Sequence, residues 1–240
     1  MRRRVFHTEG RALRAFGLCL GLLVGSAVQA ASEPDPWEGF NRSVFNFNDA
    51  VDQAALKPLA EGYKRWVPEL VRTGVDNFLG NIGDAWSTVN HVLQGKGVEA
   101  TTMGFRVVTN TFFGLGGLLD PASEMGMERQ SEDFGQTLGR WGMPSGPYLV
   151  LPLLGPSTAR DGAARVVDSL AGPTALVHGT PDTVGVLTLQ IVSTRAGLLG
   201  ASQMLDEIAL DKYQFLRDAY LARRRNQVYD GNPPEEPEAE

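Results

Sequence analysis

The sequence predicts a mainly α fold. Apolar residues recur at helical spacing nearly everywhere, and strand-like alternation is scarce. Helix-start chemistry, an Asp, Ser or Thr next to proline or followed by an acid, stands before several of the periodic stretches. With 240 residues and no internal repeat, the chain has the length of one large domain or two small ones.

The first thirty residues are set apart from that pattern. Residues 2–14 hold five arginines and one glutamate, Ala15–Ala27 is apolar apart from glycine and serine, and Val28-Gln29-Ala30 places small residues before a cut after Ala30. This is a secretory leader, residues 1–30, too short for a membrane span. Its removal lowers the formal net charge from −6 to −10, which disfavours nucleic acid and simple attraction to anionic lipid. The only cysteine, Cys19, lies inside the leader behind Leu18, where lipoprotein processing wants glycine or alanine. The expectation is ordinary cleavage after Ala30 and no lipidation, with no disulfide in the exported chain.

Asp35-Pro36 with Glu38 predicts a capped helix start. Phe40, Val44, Phe47 and Val51 then form a stripe, and Phe45 lies off it, so this helix is aromatic on two sides. It is either a core helix or one lying in a membrane or along a lipid path. Pro58 and Pro68 bracket a short element containing Tyr63 and Trp66. Val71, Val75, Phe78 and Ile82 continue at helical spacing, and Gly83-Asp84 predicts a restart before Trp86, Val89, Val92 and Leu93. Gly95-Lys96-Gly97 ends that run and lacks the rest of a phosphate loop. Thr102–Phe113 is a strongly apolar helix by pattern.

Gly114-Leu115-Gly116-Gly117-Leu118-Leu119 follows, closed by Asp120-Pro121, which starts another turn of helix. Three glycines among leucines give a backbone able to bend sharply while showing apolar side chains on both sides, as a packed turn or a moving one. In the block Glu132–Gly162, the segment Pro147–Pro156 is nearly all apolar, yet Pro147, Pro152 and Pro156 argue against regular structure there. Such a segment has to lie against protein or at a sheltered polar boundary. Ser157 is expected to cap a helix to about Leu170, Thr180 another to about Leu199, and a last helix runs from about Gln203 to Val228. The acidic, proline-bearing residues 231–240 are a disordered tail by composition. Outside the leader no stretch gives eighteen uninterrupted apolar residues; Val184–Leu199 comes nearest, carrying Gln190, Ser193, Thr194 and Arg195. Helices lying in the membrane plane suit this better than a spanning one.

The sequence shows no seat for catalysis. His91 and His178 lack metal-ligand spacing, no GxSxG elbow is present, Glu132-Asp133 have the place of helix-start acids, and Asp161 beside Arg160 has that of a structural pair. No cofactor and no metal are expected.

Asp35–Asp49 (DPWEGFNRSVFNFND), Val71–Asp84 (VRTGVDNFLGNIGD), Gly114–Asp120 (GLGGLLD) and the 132–162 block closely resemble the MlaA (VacJ) family of outer-membrane phospholipid-trafficking proteins, in family order over roughly residues 35–230. The resemblance implies a single domain over residues 31–230, an all-helical ring around an amphipathic channel, placed in the inner leaflet of the outer membrane. Phospholipids misplaced in the outer leaflet pass through it to a soluble periplasmic carrier, which preserves membrane asymmetry, and a trimeric porin is the membrane partner. It implies a channel-side gate at Gly114, Leu115, Gly116, Gly117, Leu118 and Leu119, and a membrane-facing helix carrying Phe40, Val44, Phe45 and Phe47. Tyr148, Leu149, Val150, Leu151, Leu153 and Leu154 would be wall or membrane contact.

The physics of the cargo is consistent with this. Two acyl chains carry about 30 methylenes at about 0.8 kcal/mol each, so bare transfer through water costs roughly 20 kcal/mol. A protein moving phospholipid has to shelter the tails and offer the head group a polar lining. The alternative is a non-enzymatic periplasmic scaffold that uses its apolar surface to hold a porin or another envelope partner.

Overall fold

The computed structural model describes residues 35–172 and 180–235. The leader, Cys19, His178 and the tail beyond residue 235 therefore lie outside the described residues. The order is α1 (Glu38–Val51), a π-helical turn (Asp52–Leu56), α2 (Lys57–Trp66), α3 (Glu69–Leu93), α4 (Gly97–Phe112), α5 (Pro121–Glu124), α6 (Phe134–Arg140), β1 (Tyr148–Leu151), β2 (Gly155–Thr158), α7 (Ala159–Ala171), α8 (Thr180–Ile208) and α9 (Lys212–Val228). The fold is mainly α and forms one domain.

Neighbouring elements close a circuit: α1 and its π turn lead into α2, α2 packs on α8, α8 on α3, α3 on α6, α6 on α7, α7 on the β hairpin, and β1 on α1. α3 and α4 form the most extensive helix pair, and α9 lies across α6 and β2. The π turn comes where Pro58, at the start of α2, would otherwise break a continuous helix. Arg195 of α8 grips Asp52 at that turn through Nε and Nη2, at 2.7 and 2.8 Å.

Several element boundaries differ from the sequence expectations. Asp35 is not a cap: α1 begins at Glu38 after Trp37, and the buried Asp35 carboxylate instead accepts hydrogen bonds from Asn41 Nδ2 at 2.8 Å and from the Tyr213 hydroxyl. Gly83-Asp84 is no restart, because α3 runs unbroken for 25 residues. The helix expected from Thr102 begins at Gly97, right after Gly95 turns the chain at φ 75°. Thr158, not Ser157, caps α7, its hydroxyl accepting from Asp161 N. α8 continues to Ile208, and the last helix is cut at Ala209–Asp211, where Asp211 caps α9 by accepting from Gln214 N. Pro181–Ile208 within α8 is long and apolar enough to cross a membrane by length and composition. Asp133 does serve as a helix-start acid, capping α6 through Gln136 N at 2.8 Å.

The largest correction concerns Tyr148–Thr158, which forms an antiparallel hairpin pairing Tyr148 with Thr158, Leu149 with Ser157, Val150 with Pro156 and Leu151 with Gly155. The prolines do not prevent it. Val150 gives its N–H to Asn41 Oδ1 (2.8 Å) and not to the partner strand, so the donor missing from the facing Pro156 leaves no gap in the ladder. Two asparagines seven residues apart on α1 act as a third strand for β1. Asn41 Nδ2 donates to Tyr148 O at 3.1 Å, Asn48 Nδ2 to Leu151 O at 2.9 Å, and Asn48 Oδ1 accepts from Leu153 N at 2.7 Å.

Candidate lipid-handling site

Among the described residues, burial and polarity are inverted. Polar and charged groups outnumber apolar ones at buried positions, and they include Arg106, Asp84, Asn90, His91, Asn110 and Thr137. Large apolar side chains stand exposed on almost every helix, with Trp66, Leu70, Val98, Phe112 and Phe113 each more than three-quarters exposed. The apolar clusters are small: Ala60, Ala196 and Leu199 with Tyr63, and Tyr148, Val150 and Tyr213 with Val44, Phe45, Tyr220 and Leu221. So many exposed large apolar side chains on so many helices fit an interaction or membrane surface.

The inversion is clearest on α3. Asn81, Asp84, Ser87, Asn90 and His91 recur at helical spacing and are buried, while Val71, Phe78, Val89, Val92 and Leu93 are exposed. The buried face meets Met103, Arg106 and Asn110 of α4. His91 Nε2 lies 3.1 Å from Gln130 O, a structural role. Arg106, fully buried, pairs with Asp84 at 3.4 Å and Asp120 at 3.0 Å, and donates to Ser123 Oγ and Met127 O. Desolvation pushes the Asp84 carboxyl up, against the pull of Arg129 and Arg106. For Asp120 burial also pushes upward, but hydrogen bonds from Ser123, Asn110 and Arg106 win and hold it at about 2. Farther round the circuit Arg224 of α9 joins Asp133 (2.6 Å) and Asp161 (2.9 Å), and Arg160 pairs with Asp161 at 2.9 Å.

The glycine hairpin stands directly on the Arg106 network. Asp120 caps α5 and binds Asn110 Nδ2 at 2.8 Å, while Asn110 Oδ1 accepts from Ala122 N at 3.0 Å, so both ends of the turn are fixed. A Cβ on Gly114 would fall on the Asn110 carbonyl oxygen and within 2.5 Å of Leu119 O, which makes glycine obligatory there. Leu115, Gly116 and Gly117 all adopt positive φ, at 55°, 76° and 97°. Leu115, Leu118 and Leu119 are exposed.

The structure divides the other predicted site residues. On α1 Phe40 and Phe47 are exposed, whereas Val44 and Phe45 turn inward; Phe45 packs edge-on to Tyr213 at 5.7 Å. In the β hairpin Leu153 and Leu154 are exposed and Leu149 and Leu151 are half-buried. Tyr148 and Val150 are at 1% exposure, so they are core and not outer wall, because β1 lies between α1 and α9. Sequence reasoning missed Asn41, Asn48, Asp84, Arg106 and Asn110. The available signal was the polar stripe on α3, which is the buried face.

A family model described as MlaA lipoprotein matches residues 33–227. An intermembrane phospholipid transport system lipoprotein MlaA from Shigella flexneri is 36% identical, covering 95% of this chain and 94% of its own. The protein of that name from Escherichia coli K12 is 35% identical with the same coverage, and the one from Haemophilus influenzae is 33% identical, covering 88% and 86%. A solved structure concerned with the structural basis for maintenance of bacterial outer membrane lipid asymmetry matches with a TM-score of 0.72 at 32% identity. That match covers 83% of this chain and 100% of the other.

Proposed function

The chain belongs to the MlaA lipoprotein family, and on that premise we propose that it moves phospholipid at the outer membrane. It removes misplaced phospholipids from the outer leaflet through an amphipathic channel to a periplasmic carrier, and so maintains lipid asymmetry. The single observation that carries this reading is the inverted distribution: large apolar side chains exposed on the helices of the circuit, polar side chains buried between them. Outward leucines, phenylalanines and tryptophans suit contact with acyl chains. The buried polar pairs hold the helices to one another and leave their apolar sides free for lipid.

In this reading Gly114–Leu119 is the gate, Phe40 and Phe47 face the membrane, and Leu153 and Leu154 add to the same apolar surface. The chain is a carrier and not an enzyme, with a trimeric porin and a soluble lipid carrier as partners. The domain covers residues 31–230, followed by a short acidic tail. Cleavage follows Ala30 and Cys19 is not acylated. The lipoprotein names of the relatives point the other way, and an acylated Cys19 in a mass measurement of the mature N-terminus would overturn this part of the proposal.

Detergent-free extraction followed by lipid analysis tests the central claim. Co-purified, chemically unaltered phospholipid supports it. A lipid-free protein that still binds a porin indicates a scaffold instead, and altered lipid products indicate a hydrolase. Bulky replacement of Gly116 and Gly117 is expected to raise outer-leaflet phospholipid in cells while leaving helical content intact. A wild-type level would remove the gate assignment.

A further inference from the structure

α7 and α9 meet at a polar cavity of about 220 Å³. α7 brings Asp161, Arg165 and Asp168 to it, and α9 brings Tyr220, Arg223 and Gln227. Each set is spaced by three and four residues, so each helix offers one continuous polar face. Asp133, at the start of α6, and Arg224 complete the lining. The Tyr220 hydroxyl and Arg224 Nε both donate to Asp161 Oδ2, at 3.0 and 2.9 Å, which ties the two helices together.

Part of the charge here is already matched. Arg160 and Arg224 pair with Asp133 and Asp161, two guanidiniums against two carboxylates. Burial pushes both carboxyls upward, but hydrogen bonds from Arg224 win and hold them below the ordinary value. Asp168 differs. Its Oδ1 accepts from Trp86 Nε1 at 2.7 Å and from Phe134 N at 2.9 Å, both neutral donors. Burial outweighs those bonds and raises its pKa. Arg165 donates to the carbonyls of Leu154 and Pro156, also neutral, and Arg223 is exposed. Among the described residues none of these three takes part in an ion pair. One carboxylate and two guanidiniums therefore line the cavity with their charge unmatched, an imbalance that water filling the cavity does not remove.

We infer that this cavity takes a zwitterionic aminoalkyl phosphate, its ammonium on Asp168 and its phosphate between Arg165 and Arg223. Guanidiniums present forked donors that match phosphate oxygens. An ammonium beside Asp168 supplies the cation that a part-buried carboxylate otherwise lacks. A phosphate with an aminoethyl arm has about eight non-hydrogen atoms, which suits a space of roughly seven water volumes at about 30 Å³ each. A purely anionic head group leaves Asp168 facing like charge, so the cavity discriminates between head groups of similar size. The inference rests on the phospholipid reading for the source of its ligand, and it adds which head group is preferred.

The test offers the full exported chain, in detergent, an equimolar mixture of phosphatidylethanolamine and phosphatidylglycerol with identical acyl chains. Native mass spectrometry counts the lipid retained, and because the tails are the same the ratio reports the head group. The ethanolamine lipid is expected to be favoured roughly 3- to 10-fold, the value of a charge-assisted contact discounted for solvent. Asp168→Asn keeps an acceptor for Trp86 and Phe134 without the charge, and should bring the ratio close to one. Arg223→Ala, at an exposed side chain, should lower retention of both lipids and keep the ratio. Calorimetry with soluble phosphoethanolamine separates the sources. Asp168-dependent heat without lipid preference assigns the site to a free ester, and lipid preference without heat assigns it to a membrane lipid. A ratio of one with no heat, a preference that survives Asp168→Asn, or full retention in Arg223→Ala overturns the site. If the preference depends on Asp168 but cells lacking the protein keep a normal outer leaflet, the site stands and the transport reading falls. If no preference exists while the Gly116 and Gly117 replacements still raise outer-leaflet phospholipid, the transport reading stands and the site falls.

Discussion

Two short apolar segments, Gly114–Leu119 and Tyr148–Leu154, carry similar amounts of leucine, and the structure treats them in opposite ways. The proline-flanked one is locked. β1 pairs with β2 along one edge and with the amides of Asn41 and Asn48 along the other, and Tyr148 and Val150 anchor it in the aromatic cluster. The glycine-rich one is fixed at its base by Arg106, Asn110 and Asp120, and its turn is closed by backbone bonds from Gly116 N to Thr111 O at 3.0 Å and from Gly117 N to Asn110 O at 2.9 Å. Its leucines are exposed, and its positive-φ residues follow one another without a strand partner. Composition does not separate a locked strand from an exposed turn. What does is whether a second strand is there to pair the backbone.

That contrast can be broken at its strongest point. Arg106→Ala leaves Asp84 and Asp120 without their buried partner and is expected to cost about 3–5 kcal/mol in equilibrium unfolding. A loss no greater than that of an exposed arginine would mean that the base of the glycine turn is held by something else. Asn41→Ala attacks the locked segment, leaving Val150 N and Tyr148 O unanswered in a buried place. About 2–4 kcal/mol is expected, with faster hydrogen exchange at Val150 and little change at Gly116.

The glycines sharpen the same comparison at a smaller scale. Gly117→Ala meets both a positive φ and the Asn81 amide, whereas Gly116→Ala meets a positive φ in open space. The first should cost more than the second, which is expected to lose about 1 kcal/mol, as thermal unfolding of the two variants would show. The smallest effect is one of pH. The Asp120 carboxyl is held below its ordinary value, at about 2, so its contribution is complete above 3.8 and fades as pH falls from there towards 2. Stability in equilibrium unfolding should fall over that window, and Asp120→Asn should remove that part of the pH response.

Much of the fold was legible. Periodic apolar residues mark the helices, Gly95 marks the end of α3, and the acid at Asp133 marks the start of α6. Errors came where a local signal was overruled by a distant partner. Asp35 has the sequence of a cap, yet Tyr213, 178 residues on, takes it into the core. The glycine at 83 has the look of a break, yet α3 passes through it because its polar face is clasped by α4. Of the candidate site, the hairpin was visible from its glycines, while the network beneath it was not, since Arg106 meets Asp84 and Asp120 only after α3 and α4 pair.

The sequence by itself determined that this chain is helical, carries apolar stripes at helical spacing, and can bend sharply at Gly114–Gly117. Only the tertiary structure decided which side of each helix faces inward. Periodicity finds a stripe but carries no sign, and a helix with an apolar and a polar face satisfies the same pattern in water or in lipid. The sign was set by long-range pairing of buried polar groups, because an ion pair or amide withdrawn from solvent must find its partner inside the protein.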